Sequence, residues 1–349
     1  MKQSVCYLLF FVILSCNKNI SVTEVPPLQN AKDSAKLILV TTKDVITNEG
    51  FITAYGPNMD KKWELSNNGW HNTFKIGSYI NNSLIVTYLG NTELQSLNIA
   101  NGSQNWSNKE FIDKLTYGFF VSRHFNHDTI VVATSTLSGN KFTERNALIL
   151  LNKQDGSELC RIQVDAQPLA APLLDGNSIY YIATNSNGTK QTLTAYNIVT
   201  KKLLWQKNQF SFLLGLPGGI LVKNDTLIFG AGTGNIDLIN KNDGSLYWSK
   251  GFNTKSVFSY KDKFIFNDNV SGRLTILSSK TGEVILQGPP IPYTRANGAA
   301  YIYNDDFYNN AYDTLYCSSL LDGSLKWSKQ ITNAVKFINV GDKVYYLTG

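Results

Sequence analysis

Short apolar runs separated by two-residue polar turns dominate this chain, and Gly219–Lys250 shows the pattern most clearly. Ile220-Leu-Val222 precedes the turn Asn224-Asp225 and a second run, Thr226-Leu-Ile-Phe229. A Gly-rich stretch from Gly230 to Gly234 leads to Ile236-Asp-Leu-Ile239, the turn Asn242-Asp-Gly244 and then Leu246-Tyr-Trp248. Runs this short, bounded by residues that accept positive φ, predict four strands joined by hairpins rather than helices.

The end of that stretch recurs along the chain at fixed internal spacing. A polar residue is followed four positions on by a turn residue, and four positions after that by Trp or a substitute. The copies are Asn98…Gly102…Trp106, Asn152…Gly156…Cys160, Asn197…Lys201…Trp205, Asn240…Gly244…Trp248, Ser278…Gly282…Leu286 and Ser319…Gly323…Trp327, with a looser one ending at Trp63. The turn positions lie 54, 45, 43, 38 and 41 residues apart. A period in that range marks a repeat architecture, and one four-stranded antiparallel sheet per period of about 40 residues is a propeller blade. Trp63, Trp106, Trp205, Trp248 and Trp327 are expected to pack between successive blades, with Gly244, Gly282 and Gly323 as repeat turn residues. A large aromatic buries the most area at such a joint.

The first hairpin of each unit gives a second count. Its turns are placed at Lys43-Asp44, Asn81-Asn82, His127-Asp128, Gly176-Asn177, Asn224-Asp225, Lys261-Asp262, Asp305-Asp306 and Gly341-Asp342. That makes eight first hairpins against seven turn–Trp units. The expected fold is all-β, an eight-bladed propeller of four-stranded antiparallel blades, with seven blades as the runner-up. The last blade has only two strands of its own, and residues 20–33 are expected to supply at least one more, which would remove an exposed sheet edge.

The front of the chain follows a different pattern. Lys2 precedes the apolar run Tyr7–Leu14, too short to span a bilayer, and the run ends in Ile13-Leu-Ser-Cys16. This resembles the bacterial lipobox, which implies a signal peptide over 1–15, acylation of Cys16, a tether and closing strand over 16–33, and a propeller domain over 34–349. No other run approaches membrane-spanning length. The formal net charge is +6, and Lys and Arg are scattered without a long basic run, so no nucleic-acid partner is expected. Of the four cysteines, Cys6 leaves with the leader and Cys16 carries the lipid. Cys160 and Cys317 fall in distant units and are expected to be small buried fillers rather than a disulfide.

The phrase itself, as in Asn240-Lys-Asn-Asp-Gly-Ser-Leu-Tyr-Trp248 and Ser319-Leu-Leu-Asp-Gly-Ser-Leu-Lys-Trp327, resembles the repeat of the pyrroloquinoline-quinone-type (PQQ-like) β-propellers across residues 36–349. One branch of that superfamily is the quinoprotein dehydrogenases. The resemblance implies that they use a vicinal Cys pair, a Ca²⁺ held by acids and amides, and an Asp base. The other branch is non-catalytic and includes the propeller lipoproteins of the outer-membrane β-barrel assembly machinery. This chain has no Cys-Cys pair, and Asp305-Asp306 sits where the other units carry turn residues.

Other candidate chemistry is equally thin. His124 and His127 are spaced as some metal ligands are, but three residues apart in a strand they face opposite ways, and His71 is the only other histidine. Gly230–Asn235 precedes a strand, so it lacks the helix N-terminus of a phosphate loop. No Gly-x-Ser-x-Gly element occurs. The expectation is therefore a non-enzymatic, lipid-anchored envelope scaffold without cofactor or metal. It would bind other envelope proteins, facing the periplasm from the outer membrane. A glycan- or small-ligand-binding propeller, with Trp70 and Tyr303 as stacking platforms, is the alternative, and a quinoprotein dehydrogenase ranks below it.

Overall fold

A computed structural model describes residues 9–11, 37–43, 50–56, 60–67, 74–80, 83–88, 93–108, 118–121, 129–135, 146–164, 167–168, 172–184, 191–208, 220–230, 234–254, 257–268, 270–291, 300–311, 314–330, 334–340 and 343–348. The described elements are all strands, arranged as successive sheets. Sheet 1 contains Leu9–Phe11, Leu37–Lys43, Gly50–Tyr55 and Lys61–Asn67. Sheet 2 contains Phe74–Ile80, Ser83–Tyr88, Leu94–Asn98 and Gln104–Asn108. Sheet 3 runs from Gly118–Val121 through Thr129–Ser135 and Ala147–Asn152 to Glu158–Gln163. In sheet 4, Ser178–Thr184 pairs with both Gln167–Pro168 and Leu173–Asp175, and Gln191–Asn197 and Lys202–Asn208 follow.

Sheet 5 is Leu221–Lys223, Thr226–Gly230, Gly234–Asn240 and Leu246–Phe252, close to the strands read from its sequence. Sheet 6 is Phe258–Tyr260, Lys263–Asn267, Arg273–Ser278 and Val284–Pro290. Sheet 7 is Tyr301–Tyr303, Asp306–Ala311, Thr314–Ser319 and Leu325–Gln330. Sheet 8 has two strands, Ala334–Val340 and Lys343–Thr348. The chain divides into two compact units, residues 1–105 with 291–349, and residues 106–290.

Each position of the recurring phrase has a local cause. The opening polar residue makes a side-chain turn: Asn98 Oδ1 accepts from Ala100 N, Asn152 Oδ1 from Gln154 N, and Ser278 Oγ from Lys280 N. Its carbonyl accepts from the turn residue's amide, as in Gly102 N to Asn98 O and Gly244 N to Asn240 O. In the Asp-Gly-Ser copies, Asp155, Asp243 and Asp322 each accept from the backbone N–H of the following Ser. The hydroxyl and backbone N–H of that Ser together hold the carboxyls below the usual range, the hydroxyl leading at Asp155 and Asp243 and the backbone at Asp322, which falls to about 2. The register then slips by one residue opposite the Trp position, for example between Leu238 and Ile239, so the outer strand bends as it starts.

The turn and the Trp act on each other across neighbouring sheets. Gly102 lies on the ring of Trp63, Gly156 on Trp106, Gly244 on Trp205 and Gly282 on Trp248. A Cβ at Gly282 would stand 2.5 Å from Trp248, at a φ of +67°, so this position excludes a side chain twice over. Three of the indoles are also tied by hydrogen bonds to the next turn. Trp63 Nε1 donates to Ile99 O at 2.8 Å, Trp106 Nε1 to Lys153 O at 2.8 Å, and Trp205 Nε1 to Lys241 O at 2.9 Å. In each case the acceptor is the residue after the opening polar one. Around these plugs the sheets share apolar clusters, such as Tyr180, Leu193 and Trp205 of sheet 4 with Leu227 and Ile239 of sheet 5.

One of the two degenerate copies is explained by the same joint, while Leu286 of sheet 6 is followed by an ordinary glycine turn at Gly323. Where sheet 3 carries Cys160 in place of Trp, the turn of sheet 4 carries Lys201 at φ 53° instead of Gly. With no indole beneath it, that turn has room for a side chain. Tyr196 and Ile198 pack against the sheet 3 cluster beside Cys160 instead.

Three expectations need correction. Lys43-Asp44 does not close a first hairpin. Leu37–Lys43 pairs with Gly50–Tyr55 in the register Lys43↔Gly50, so it is the second strand of sheet 1, leading to the third. The first-strand place in sheet 1 is held by Leu9–Phe11, which pairs in parallel with Leu37–Leu39. This strand lies inside the expected leader, so processing at Cys16 would remove it and open that edge. The turn placed at Asp305-Asp306 lies one residue earlier, at Asn304 (φ 48°) and Asp305 (φ 60°), because Asp306 already pairs with Tyr303. Cys317 is buried as expected, but Cys160 is only half-buried. Residues 20–33, assigned to closure, lie outside the described residues.

Candidate functional site

The surfaces available for work are set by the outermost strand of each sheet, because its far edge has no strand partner within that sheet. In this strand the Trp side chain points into the joint and its neighbours point out. The outer strand of sheet 5 therefore buries Trp248 and exposes Leu246 and Tyr247 on either side of the backbone.

Sheet 7 departs from this plan. All six residues of Leu325–Gln330 are exposed, including Trp327 at 39%, whereas Trp63, Trp106, Trp205 and Trp248 are at most 9% exposed. The cause is visible in the repeat logic. A plug is covered by the third-to-fourth-strand turn of the following sheet, and among the described residues sheet 8 has only two strands and no such turn. Trp327 instead rests edge-on against Tyr308, with ring centroids 6.1 Å apart. Leu321, in the adjoining turn, is 76% exposed, so an apolar ledge borders the open edge of this sheet.

Beneath the ledge lies a polar group of sheet 7. Lys326 Nζ pairs with the Asp306 carboxylate at 2.6 Å, and Tyr308 stands opposite Cys317 in the register. Burial pushes the Cys317 thiol up to about 11, helped by the negative field of Asp306. Burial also raises the Tyr308 phenol. Both groups stay protonated at neutral pH, which makes Cys317 a poor nucleophile or thiolate ligand.

A second polar position recurs on the third strand, one residue before the Trp partner. Thr53, Thr194 and Thr275 occupy it in sheets 1, 4 and 6, Tyr316 in sheet 7 and Asp237 in sheet 5. Asp237 is 3% exposed with an unpartnered Oδ1, and burial raises its carboxyl despite a bond to Ser249. Nothing in the Thr-dominated pattern of the other copies signalled an acid here, so sequence reasoning missed it.

Several sequence candidates fall outside the described residues: Cys16 with the rest of the lipobox, Trp70, His71, His124 and His127. Tyr303 is half-buried beside the first turn of sheet 7. Among the described residues no group of three or more His, Cys, Asp or Glu could hold a metal ion, and no helix is long and apolar enough to cross a membrane. Cys160 and Cys317 belong to different sheets, and the buried acid Asp237 is engaged with Ser249. These residues do not fit the vicinal-Cys and calcium set of the quinoprotein branch.

Taken together, the all-β sheets and the turn–Trp joints define a β-propeller, and its repeat resembles that of the PQQ-like class. Comparison with known proteins narrows this. A family model described as outer membrane protein assembly factor BamB matches residues 90–257. The crystal structure of BamB from Moraxella catarrhalis superposes with a TM-score of 0.61 at 12% identity, covering 93% of each chain. Sqt1 of Saccharomyces cerevisiae gives 0.62 at 13% identity, over 96% of this chain and 92% of its own. A europium-containing methanol dehydrogenase gives 0.60 at 10%, over 85% of this chain and 77% of its own. No curated protein sequence matches. At these identities the structural likenesses speak for the fold, while the repeat and the family model single out the BamB-like propellers as what this chain resembles.

Proposed function

We propose that the protein is a non-catalytic, BamB-like scaffold of the bacterial envelope, anchored through acylated Cys16 at the outer membrane and facing the periplasm. The observation that carries this reading is the ledge of sheet 7, where a repeat tryptophan is exposed in the outermost strand of the sheet, next to the exposed Leu321 and Leu325. Exposed Trp flanked by apolar side chains is the composition of an interaction hot spot, and an open edge offers backbone donors and acceptors to a partner strand. The similarity of residues 90–257 to an outer membrane protein assembly factor supports the same reading. The methanol dehydrogenase likeness, at 10% identity, is one of fold.

The test is photo-crosslinking from position 327 in intact cells, with position 176 as the control in a first-hairpin turn. Envelope proteins captured from 327, and lost in Leu325→Ser with Leu321→Ser, support the scaffold. A Cys16→Ala chain that stays membrane-bound with an unmodified Cys16 in the parent would remove the anchor from the proposal. Tight polysaccharide binding with no crosslinked protein would favour the ligand-binding alternative.

A further inference from the structure

The second unit has an exposed feature that the scaffold reading does not use. Just before the Trp position, the outer strands of sheets 4, 5 and 6 carry the pairs Leu203-Leu204, Leu246-Tyr247 and Val284-Ile285. All six side chains are 45–55% exposed. The pairs are neighbours because the joints align their strands. Gly244, two residues before Leu246, sits on Trp205, and Gly282, two residues before Val284, sits on Trp248. The same three strands carry Lys202, Lys207 and Lys250 and no acid. In the turns that lead into them, Lys201 and Lys280 offset Asp243 and Glu283. The result is a rim of three successive apolar pairs with an excess of positive charge.

We infer that this rim is a membrane-contact surface that seats the second unit of the protein on an anionic phospholipid bilayer. Edge lysines commonly guard a strand against pairing, but apolar pairs beside them would undo such a guard in water. Exposed apolar pairs repeated on three successive outer strands, with lysines beside them, match the needs of a lipid interface, where apolar groups enter the acyl boundary and lysines meet lipid phosphates. The charge sign selects an anionic partner, and the repetition over three sheets selects a surface. A single added strand could cover only one of these edges, and on sheet 6 Pro289 and Pro290 withhold their amides from it. The inference does not depend on acylation of Cys16, because the rim is built entirely from residues 202–285.

Sedimentation with lipid vesicles tests it, using the full chain carrying Cys16→Ala so that no acyl chain contributes. The expected result is binding to vesicles of phosphatidylglycerol in phosphatidylcholine that exceeds binding to pure phosphatidylcholine by about tenfold. That excess should shrink as salt rises from about 0.1 to about 0.5 M. Leu246→Ser with Tyr247→Ser should lower binding to anionic vesicles several-fold, and Lys202→Glu with Lys250→Glu should abolish the lipid preference. Leu246, Tyr247 and Lys202 are exposed and Lys250 is half-buried, so both variants should melt close to the parent, and circular dichroism checks this. Equal binding by parent and variants, no preference for the anionic lipid, or no binding at all would overturn the inference. So would capture of acidic peptides, or a dimer lost in the variants, by a chain indifferent to vesicles. Crosslinking from position 327 is unaffected by any of these outcomes, so the scaffold proposal stands or falls separately.

Discussion

Sheets 5 and 7 are written in nearly the same words and end in different circumstances. Asn240–Trp248 and Ser319–Trp327 share the side-chain turn, the Asp-Gly-Ser bonds and the bulge opposite the Trp. Yet Trp248 is 9% exposed, and Trp327 is exposed more than four times as much. The local phrase dictates the hairpin and aims the indole. Whether the indole is buried is decided by the next sheet, which brings a glycine turn in one case and none in the other. Local sequence thus determines the plug, and the neighbour determines the socket.

Truncating the two tryptophans tests this contrast most strongly. Trp248→Ala should cost about 3–5 kcal/mol, as for a fully packed aromatic, and Trp327→Ala about 1 kcal/mol. Denaturant midpoints of the two variants measure the difference. Equal losses would mean that Trp327 is covered in solution and that the contrast is wrong.

The third-strand polar slot sharpens the comparison with a pH dependence, since sheet 5 fills it with Asp237 and sheet 7 with Tyr316. The folded state raises the Asp237 carboxyl above its unfolded value of 3.8, so folding favours its protonated form. Below the unfolded pKa the group costs nothing. As pH rises toward and through the folded pKa, its ionisation progressively destabilises the fold. Asp237→Thr, the residue of sheets 4 and 6, should therefore stabilise the protein at neutral pH by about 1 kcal/mol or more. The gain should fade toward acid, as read by melting curves across pH, and Tyr316→Thr should show no such trend. A pH-independent difference for Asp237→Thr would mean that the carboxylate is stabilised by a partner.

The smallest effect concerns sheet 4. Lys201 holds a left-handed turn that glycine holds elsewhere, so Lys201→Gly should stabilise by up to about 1 kcal/mol. Gly244→Lys should do the opposite, and more strongly, because it meets Trp205. Thermal melts of the two variants should move in opposite directions.

What could be read from the sequence was local. Turn residues named the hairpins, and the strands of sheet 5 follow from Asn224-Asp225 and Asn242-Asp-Gly244 with ends shifted by a residue or two. Errors arose where polar pairs are ambiguous. Lys43-Asp44 looks like any other two-residue turn, but Lys43 pairs with Gly50, which makes it a different link. Asp305-Asp306 offered two acids for one place, and the left-handed backbone settled on Asn304-Asp305. The Trp–carbonyl bonds, the exposure of Trp327 and the buried acid were not legible, because each depends on a neighbouring sheet or strand far away in sequence. The rim of sheets 4 to 6 did leave a signal: apolar pairs before the Trp, where strict alternation calls for one polar residue.

The pairing of Cys160 with Lys201 has a consequence for how such a chain can change. A plug and its lid belong to different repeats, so the unit that must be kept intact spans the seam and not the sheet. A duplication, deletion or swap cut at sheet boundaries would set Lys201 over an indole, and that end of the graft would misfit. Cut between the second and third strands, the same rearrangement carries each outer strand away from the lid that fits it. Only segments running from one Trp position through the following turn travel as compatible parts, and recombinants of this fold should survive or fail according to where that seam falls.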